Sequence, residues 1–112
     1  MAGSFSDYLE DKLLKHAFTN TSYTPAATMY VGLYTAAPTD AGGGTQVTGG
    51  SYARVSVAFT VSGTGTLCTN SAAVEFAAAT ASWGTIVAVG IFDASTSGNL
   101  LAWADLAVNK TI

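Results

Sequence analysis

The N-terminal segment combines apolar and charged positions with the period of a helix. Apolar side chains recur every fourth residue and form one stripe: Phe5, Leu9, Leu13 and Ala17. Such spacing places them on one face of an amphipathic helix. Ser4 or Ser6 can cap the start, and Asn20 is a plausible end. We therefore predict an amphipathic helix over residues 4–19.

Downstream of Pro25 the period changes to two, which is typical of β-strands. Residues 28–34 are apolar on both sides, which predicts a central strand. Residues 52–61 alternate most regularly between apolar and other side chains, which predicts one half-exposed strand. Residues 85–92 form a continuous apolar run, so we expect this strand at the centre of a sheet.

Glycine-rich and polar connections separate these segments. Residues 36–45 contain three consecutive glycines, and residues 93–99 predict a polar turn. Residues 100–105 then return as the hairpin partner of the preceding strand. A weaker strand is predicted over residues 66–78, anchored by Leu67, Val74 and Phe76.

One helix followed by five or six strands, with no helix between strands, predicts an α+β fold that is mainly β. We expect an N-terminal amphipathic helix followed by an antiparallel β-sandwich or sheet. The length of 112 residues suits a single domain over residues 1–112, with its β region at residues 27–112. The helix packs either on its own sheet or against another subunit.

Composition narrows the classes of partner. Charged residues make up 10% of the chain, against a typical share of about 25%. A surface so poor in charge suits a protein whose faces are covered by neighbours. The four Lys and Arg residues form no basic stripe, so we expect no nucleic-acid partner. No apolar run could span a membrane and no secretory signal is visible, so we expect synthesis in a cytoplasm and no membrane partner.

Few side chains could carry out chemistry. His16 is the single histidine and Cys68 the single cysteine, so we expect neither a zinc site nor a nucleophile–base pair. The turn at residues 93–99 lacks the acidic density of a calcium loop. Residues 42–44 lack the lysine that follows the glycines of a phosphate-binding loop. We predict no enzyme activity, no cofactor and no metal.

Two sets of side chains are candidates for partner binding. The apolar stripe of the helix is the candidate subunit interface, if the helix packs between chains. Trp83 and Trp103 are candidate glycan-facing aromatics, because with Tyr30 and Tyr34 they could line a sugar-binding face. Aromatic residues in strands belong more often to a core, which is the alternative for both.

Six segments of the chain resemble segments of known proteins, in the same order and with similar spacing. They are YLEDKLLKHAF at 8–18, YTPAATMYVGLYT at 23–35, GGSYAR at 49–54, ASWGT at 81–85, VGIFD at 89–93 and GNLLAW at 98–103. With these segments the chain resembles a family of small tailed-bacteriophage virion proteins usually labelled phage tail fibre proteins. The resemblance implies a virion structural protein that self-associates and forms a tail appendage. Head decoration and binding of a host glycan at a fibre tip are the alternatives.

The resemblance also implies partners. They are other copies of the chain and other virion proteins, with a host surface glycan as an alternative. Members of the family often continue past the Lys-Thr segment with further strands, whereas this chain ends at Lys110-Thr-Ile112. One expectation is an open sheet edge that a neighbouring subunit completes. The other is an edge covered by the N-terminal helix.

Overall fold

A computed structural model describes residues 3–65 and 67–112, and this part of the chain forms one helix and eight strands. The elements are β1 (Gly3–Phe5), α1 (Asp7–Phe18), β2 (Met29–Ala36), β3 (Thr45–Gln46), β4 (Val55–Val57), β5 (Phe59–Val61), β6 (Cys68–Asn70), β7 (Thr85–Phe92) and β8 (Leu100–Thr111). Six strands form the main sheet in the order β1-β8-β7-β2-β3, with β4 also paired to β2. Strands β5 and β6 form a separate hairpin. All these pairings are antiparallel, which confirms the mainly-β α+β class.

Strand β7 occupies the central position that its apolar run predicts. It pairs with β2 on one side and with β8 on the other. The predicted polar turn closes the β7–β8 hairpin. There the backbone N–H and the side-chain amide of Asn99 donate to the two carboxylate oxygens of Asp93, at 2.7 and 2.9 Å. Strand β8 runs to Thr111, further than predicted, because its end pairs again with the start of β7 beyond an irregularity.

The N-terminal helix is confirmed, but it begins later than predicted. Residues 3–5 are extended because they pair with residues 102–104 as strand β1. Helix α1 begins after Ser6, whose Oγ accepts a hydrogen bond from the backbone N–H of Leu9 at 3.2 Å. Ser6 is therefore the N-cap, and Ser4 is not.

Backbone hydrogen bonds connect the start of α1 to β8 and to the loop after β2. The backbone N–H groups of Ser6 and Asp7 donate to the carbonyls of Leu101 and Asp40, each at 2.7 Å. The edge of β8 at residues 102–104 is therefore paired with strand β1 and not covered by the helix. At the other end, Asn20 adopts a positive φ of 58°, so the helical path ends where predicted.

The single strand predicted over residues 52–61 is wrong, because the chain forms two strands there. Val57 in β4 lies opposite Met29, the first residue of β2. Because β2 begins at Met29, it has no residue left to pair with the chain after Val57. The chain therefore pairs elsewhere as β5, with Phe59 opposite Asn70 of β6. Alternation reports which side a residue faces, but not which strand is its partner.

The weak strand predicted over residues 66–78 is present only as the short β6. Residue 66 lies outside the described residues. Leu67 is exposed and Val74 is half-buried, whereas Phe76 packs against the main hydrophobic cluster.

Trp83 lies at the centre of that cluster. The rings of Tyr52 and Phe76 meet its indole edge-on, with centroids 5.4 and 6.2 Å away. The indole N–H donates to the carbonyl of Gly50 at 2.9 Å. Gly50 has a φ of 59°, and a Cβ there would lie 2.8 Å from the indole nitrogen, so glycine is required. The other buried members of this Trp83 cluster are Leu33, Val47 and Ile86.

Candidate subunit interface

One row of side chains crosses the main sheet on a single face. Strand pairing places Val55, Val31, Ile91, Ala102 and Phe5 side by side in β4, β2, β7, β8 and β1. Paired residues in a sheet point to the same side, so these five residues form what we call the apolar row. None of the five is buried, and Phe5 is 53% exposed.

The apolar row forms part of the floor of an open groove of about 270 Å³. Leu9, at the start of α1, lines one side. Phe59 and Cys68, in the β5–β6 hairpin, line another, and Met29 and Leu101 complete the lining. All these side chains are apolar or carry only a thiol. The groove is therefore an apolar surface between the helix and the hairpin.

Helix α1 contacts the sheet at β8 but stands largely away from it. None of its twelve residues, all within the described part of the chain, is buried. Leu14 is 58% and Phe18 is 80% exposed. An ion pair between Lys15 and Asp11, at 3.2 Å, joins successive turns of the helix. The apolar side of α1 is thus not covered by its own sheet.

The four residues of the predicted stripe lie in two elements. Phe5 belongs to β1 and Leu9 to the first turn of α1, and both line the groove. Leu13 is 39% exposed and Ala17 is also exposed, further along the helix. The structure brings Phe5 and Leu9 together, and the interface itself stays a prediction.

Sequence reasoning missed the uncovered positions of the sheet. Ile91 belongs to a continuous apolar run, which is typical of a strand buried on both faces, yet it lines the open groove. Val31 and Ala102 are likewise only half-buried. The one available signal was the low charge content of the chain, which indicates covered surfaces without locating them.

The two predicted glycan-facing aromatics have different environments. Trp83 is only 6% exposed, so the expectation of an outward-facing ring is wrong there: the ring is enclosed by its cluster. Trp103 is half-buried on the sheet face opposite the apolar row, since it neighbours Ala102 along β8. Its indole N–H donates to Oδ1 of Asp40 at 2.9 Å. A glycan role for Trp103 stays a prediction.

Asp40 joins the loop after β2 to the sheet and to α1. Its carboxylate accepts hydrogen bonds from Ser4 Oγ and from Trp103. These two hydrogen bonds stabilise the charged form and hold the pKa of Asp40 below its ordinary value. Carboxylate oxygens of Asp40, Asp7 and Glu10 lie within 4.8 Å of one another, near the positive end of the helix dipole. No local pattern predicts this group, because the loop brings Asp40 there from a distant part of the sequence.

The two side chains with reactive potential lie on separate elements. His16 is on α1, where its Nδ1 accepts a hydrogen bond from the backbone N–H of Tyr23 at 3.2 Å. Cys68 is exposed on β6. Within residues 3–65 and 67–112, no helix has both the length and the apolar character needed to cross a membrane.

The fold and the groove define the class as a β-rich protein with an exposed apolar groove. A family model described as Podophage GP4 fiber I protein gp80 matches residues 4–112. The chain therefore belongs to this phage fibre family, which confirms the resemblance to tail fibre-type proteins. No curated protein matches the chain.

Proposed function

We propose that this protein is a non-enzymatic structural subunit of a bacteriophage fibre and that it self-associates in the virion. Its proposed subunit interface includes Phe5, Leu9, Leu13 and Ala17. The observation that carries the proposal is that no residue of helix α1 is buried and that the helix exposes apolar side chains to solvent. Membership of a phage fibre family supports the assignment to a fibre.

Helix α1 needs a partner surface for its stability. A helix of twelve residues is only marginally stable on its own in water. The Ser6 cap contributes about 1 kcal/mol, and the pair formed by Asp11 and Lys15 about 0.3–0.5 kcal/mol. Most helical stability in proteins comes from the packing of an apolar face. A neighbouring subunit provides that packing for α1.

The exposed apolar side chains are concentrated in one part of the molecule. Among the described residues, seven of the nine large hydrophobic side chains that are exposed belong to β1, α1 or the β5–β6 hairpin region: Phe5, Leu13, Leu14, Phe18, Phe59, Val61 and Leu67. Phe5 and Phe59 line the same groove, and contiguous exposed apolar surface marks sites of protein–protein contact. Association by burial of such surface requires no reacting group, which supports a structural role.

Light scattering on the purified protein and mass spectrometry of purified phage particles test the proposal. We expect a defined oligomer in solution and the protein among the virion components. A strictly monomeric protein that is missing from the particles would contradict it. Immunogold labelling on the tail would support a fibre subunit, whereas labelling on the head would favour decoration of the capsid. Specific binding on a glycan array would favour a receptor-binding module.

A further inference from the structure

We propose that the outer edge of strand β6 pairs with the same edge of a second copy of this chain, so that two β5–β6 hairpins form one four-stranded antiparallel sheet across a two-fold axis. This inference rests on the self-association proposed above and names one surface and one partner for it. It concerns backbone groups at the edge of the hairpin, which differ from the apolar side chains of α1.

The β5–β6 hairpin forms a small sheet of its own. All six residues of its two strands are exposed. The strands pair with each other and with no other strand of the described chain, and neither makes an extensive contact with another element. An isolated two-stranded hairpin is marginally stable at best in water, whereas a sheet of three or more strands can be stable. The hairpin therefore gains stability from an added strand.

The hydrogen bonds within the hairpin show which backbone groups point inward. The N–H of Ser62 donates to the carbonyl of Leu67 at 2.7 Å, and the N–H of Ser71 donates to the carbonyl of Ala58 at 2.9 Å. In an antiparallel pair, residues that exchange hydrogen bonds alternate with residues that do not. Thr69 lies midway between these two positions of β6, so its N–H and carbonyl also point towards β5.

The residues on either side of Thr69 point the other way. By the same alternation, the backbone N–H and carbonyl groups of Cys68 and Asn70 lie on the outer edge of β6. No backbone hydrogen bond joins either residue to another described segment outside the hairpin. An edge of this kind, with donors and acceptors at every second residue, is a template for an extended strand. The edge of β6 therefore selects a β-strand as its partner.

The edge of β5 is a less suitable site for such a strand. Phe59, at the start of β5, lines a cavity of about 510 Å³ together with Ala27 and Thr28, which precede β2. Another segment of the same chain thus already lies beside the start of β5. Cys68 of β6 instead lines the open groove. We therefore assign the pairing to the edge of β6.

No charge opposes contact between two copies of this edge. Natural proteins commonly protect exposed strand edges from pairing with other copies by charged side chains or proline. Residues 55–74 contain neither. Strand β1 differs, because its Ser4 side chain donates to the carboxylate of Asp40, which places a negative charge beside that strand. An edge without such protection suits a partner that is identical to itself, since like charges do not meet there.

A second copy of β6 matches the edge when Thr69 lies on the two-fold axis. Cys68 of each copy is then opposite Asn70 of the other, and each of these pairs exchanges both of its N–H···O bonds. The outward backbone groups of both strands are thereby satisfied. Thr60 lies opposite Thr69 within each hairpin, so these residues of the two copies form one row of threonines. Cross-strand threonine pairs stabilise a sheet.

A cysteine on the two-fold axis tests this register. Opposite residues that do not exchange hydrogen bonds have Cα atoms about 4.5 Å apart, within the range of about 4.4–6.8 Å that a disulfide spans. In a C68S background, we expect T69C to form an intersubunit disulfide at least about tenfold faster than T60C in oxidised glutathione. T60C is the matched control, because the two copies of Thr60 lie three strand spacings apart, about 14 Å.

Proline substitutions test the outward backbone groups. N70P removes an N–H that points away from β5, where proline is tolerated in an edge strand, so the hairpin keeps its own hydrogen bonds. We expect N70P to raise the dissociation constant about 30-fold, because each pair loses two backbone hydrogen bonds. V61P makes the same change on the outer edge of β5 and is the matched control. N70A controls for the side-chain amide, which donates to the carbonyl of Ala72 at 2.8 Å.

Circular dichroism checks the fold of each variant, and sedimentation velocity measures its association. Faster cross-linking of T69C than of T60C, with weaker association of N70P than of V61P, supports the inference. Equal cross-linking rates overturn it, and so does a larger effect of V61P than of N70P. If N70P does not fold, the cross-linking rates decide. Cross-linking of T69C to another virion protein in phage particles, and not to itself, overturns the second copy as the partner.

The outcomes also separate this inference from the proposed function. A wild-type chain that forms oligomers, while T69C and T60C cross-link at equal rates, leaves self-association through another surface in place and overturns only the β6 pairing. A wild-type chain that is monomeric at all concentrations overturns both proposals.

Discussion

The pairs formed by Leu33 with Val89 and by Val31 with Ile91 are neighbours on one face of the main sheet, two residues apart along β2 and β7. Leu33 is 8% exposed and belongs to the Trp83 cluster, and the half-buried Val89 packs against that cluster. Val31 and Ile91 are only half-buried, and Ile91 lines the open groove. The side chains are of the same kind, so the difference lies in what covers them.

The cover of the first pair comes from the chain itself. Trp83 folds over Leu33, and Tyr52 and Phe76 hold the indole in place. Over the second pair, α1 and the hairpin form the sides of a groove and leave its floor open. The comparison shows that one sheet face can hold both a packed core and an open apolar surface, with no change in residue type between them.

Removing the centre of the Trp83 cluster should have the largest effect on stability. We expect W83A to lower the free energy of unfolding by about 3–5 kcal/mol, because a buried aromatic ring is lost from a packed site. The carbonyl of Gly50 also loses its hydrogen bond from the indole. Urea denaturation monitored by circular dichroism measures the change.

Trp103→Ala is the matched control for this prediction, since Trp103 is half-buried and should cost less. If the two substitutions lower the free energy of unfolding equally, the Trp83 cluster does not depend on Trp83 for its stability. Wherever W83A remains folded, its association should be unchanged, because the groove is not part of the cluster.

A charge at the side of the groove should weaken self-association and leave the fold intact, which is the reverse of the effects expected for W83A. We expect L9D to weaken self-association about 30-fold, because a central interface side chain contributes about 2 kcal/mol. The fold should remain intact, since an acidic residue in the first turn of α1 interacts favourably with the helix dipole. Sedimentation velocity and the far-ultraviolet β-signal are the two readouts.

V108D is the control for the added charge, because Val108 is 80% exposed and is not among the residues that line the groove. Global unfolding of L9D would show that Leu9 serves the fold of its own chain. A folded L9D variant that still associates like the wild type would remove Leu9 from the interface.

Removing the N-cap should have a smaller effect, confined to the junction of α1 and the sheet. Ser6 is 2% exposed, and its Oγ both accepts from the N–H of Leu9 and donates to the carbonyl of Leu100. We expect S6A to cost about 1 kcal/mol and to raise amide hydrogen exchange in the first turn of α1. Ser95→Ala, in the exposed turn after β7, is the control. Unchanged exchange in α1 would show that the cap does not limit the stability of the helix.

The smallest expected effect concerns pH. The pKa of Asp40 is lowered in the folded protein by its bonds from Ser4 and Trp103. The charged carboxylate therefore adds stability that is fully present above the ordinary value of 3.8. That contribution is lost as the pH falls through the lowered value. Asp40→Asn should show a shallower loss of stability over the acidic range in urea titrations, and an unchanged slope would contradict this role.

Local patterns predicted some elements well. The N-terminal helix, the strand β7 and the polar turn from Asp93 to Asn99 all depend on neighbouring residues, and all three are present. The predicted start of α1 was wrong, because residues 3–5 pair with β8, which lies far along the chain. The same limit applies to residues 52–61, where the end of β2 decides that β5 leaves the main sheet.

The candidate site could be predicted only in part. The apolar stripe identified Phe5 and Leu9, which the fold brings together at the groove. Membership of the apolar row could not be read from one segment, because it depends on the register of five strands. Burial of Trp83 likewise depends on Tyr52, Phe76 and Gly50, which belong to separate segments.

By itself, the sequence determined the periodicity of each segment, the class of the fold, the scarcity of charge and the family to which the chain belongs. These properties follow from local residue order and composition. Only the tertiary structure decided which apolar side chains are covered and which form an exposed row. That outcome depends on strand register and on distant segments folding over one part of a sheet face, which no local pattern specifies.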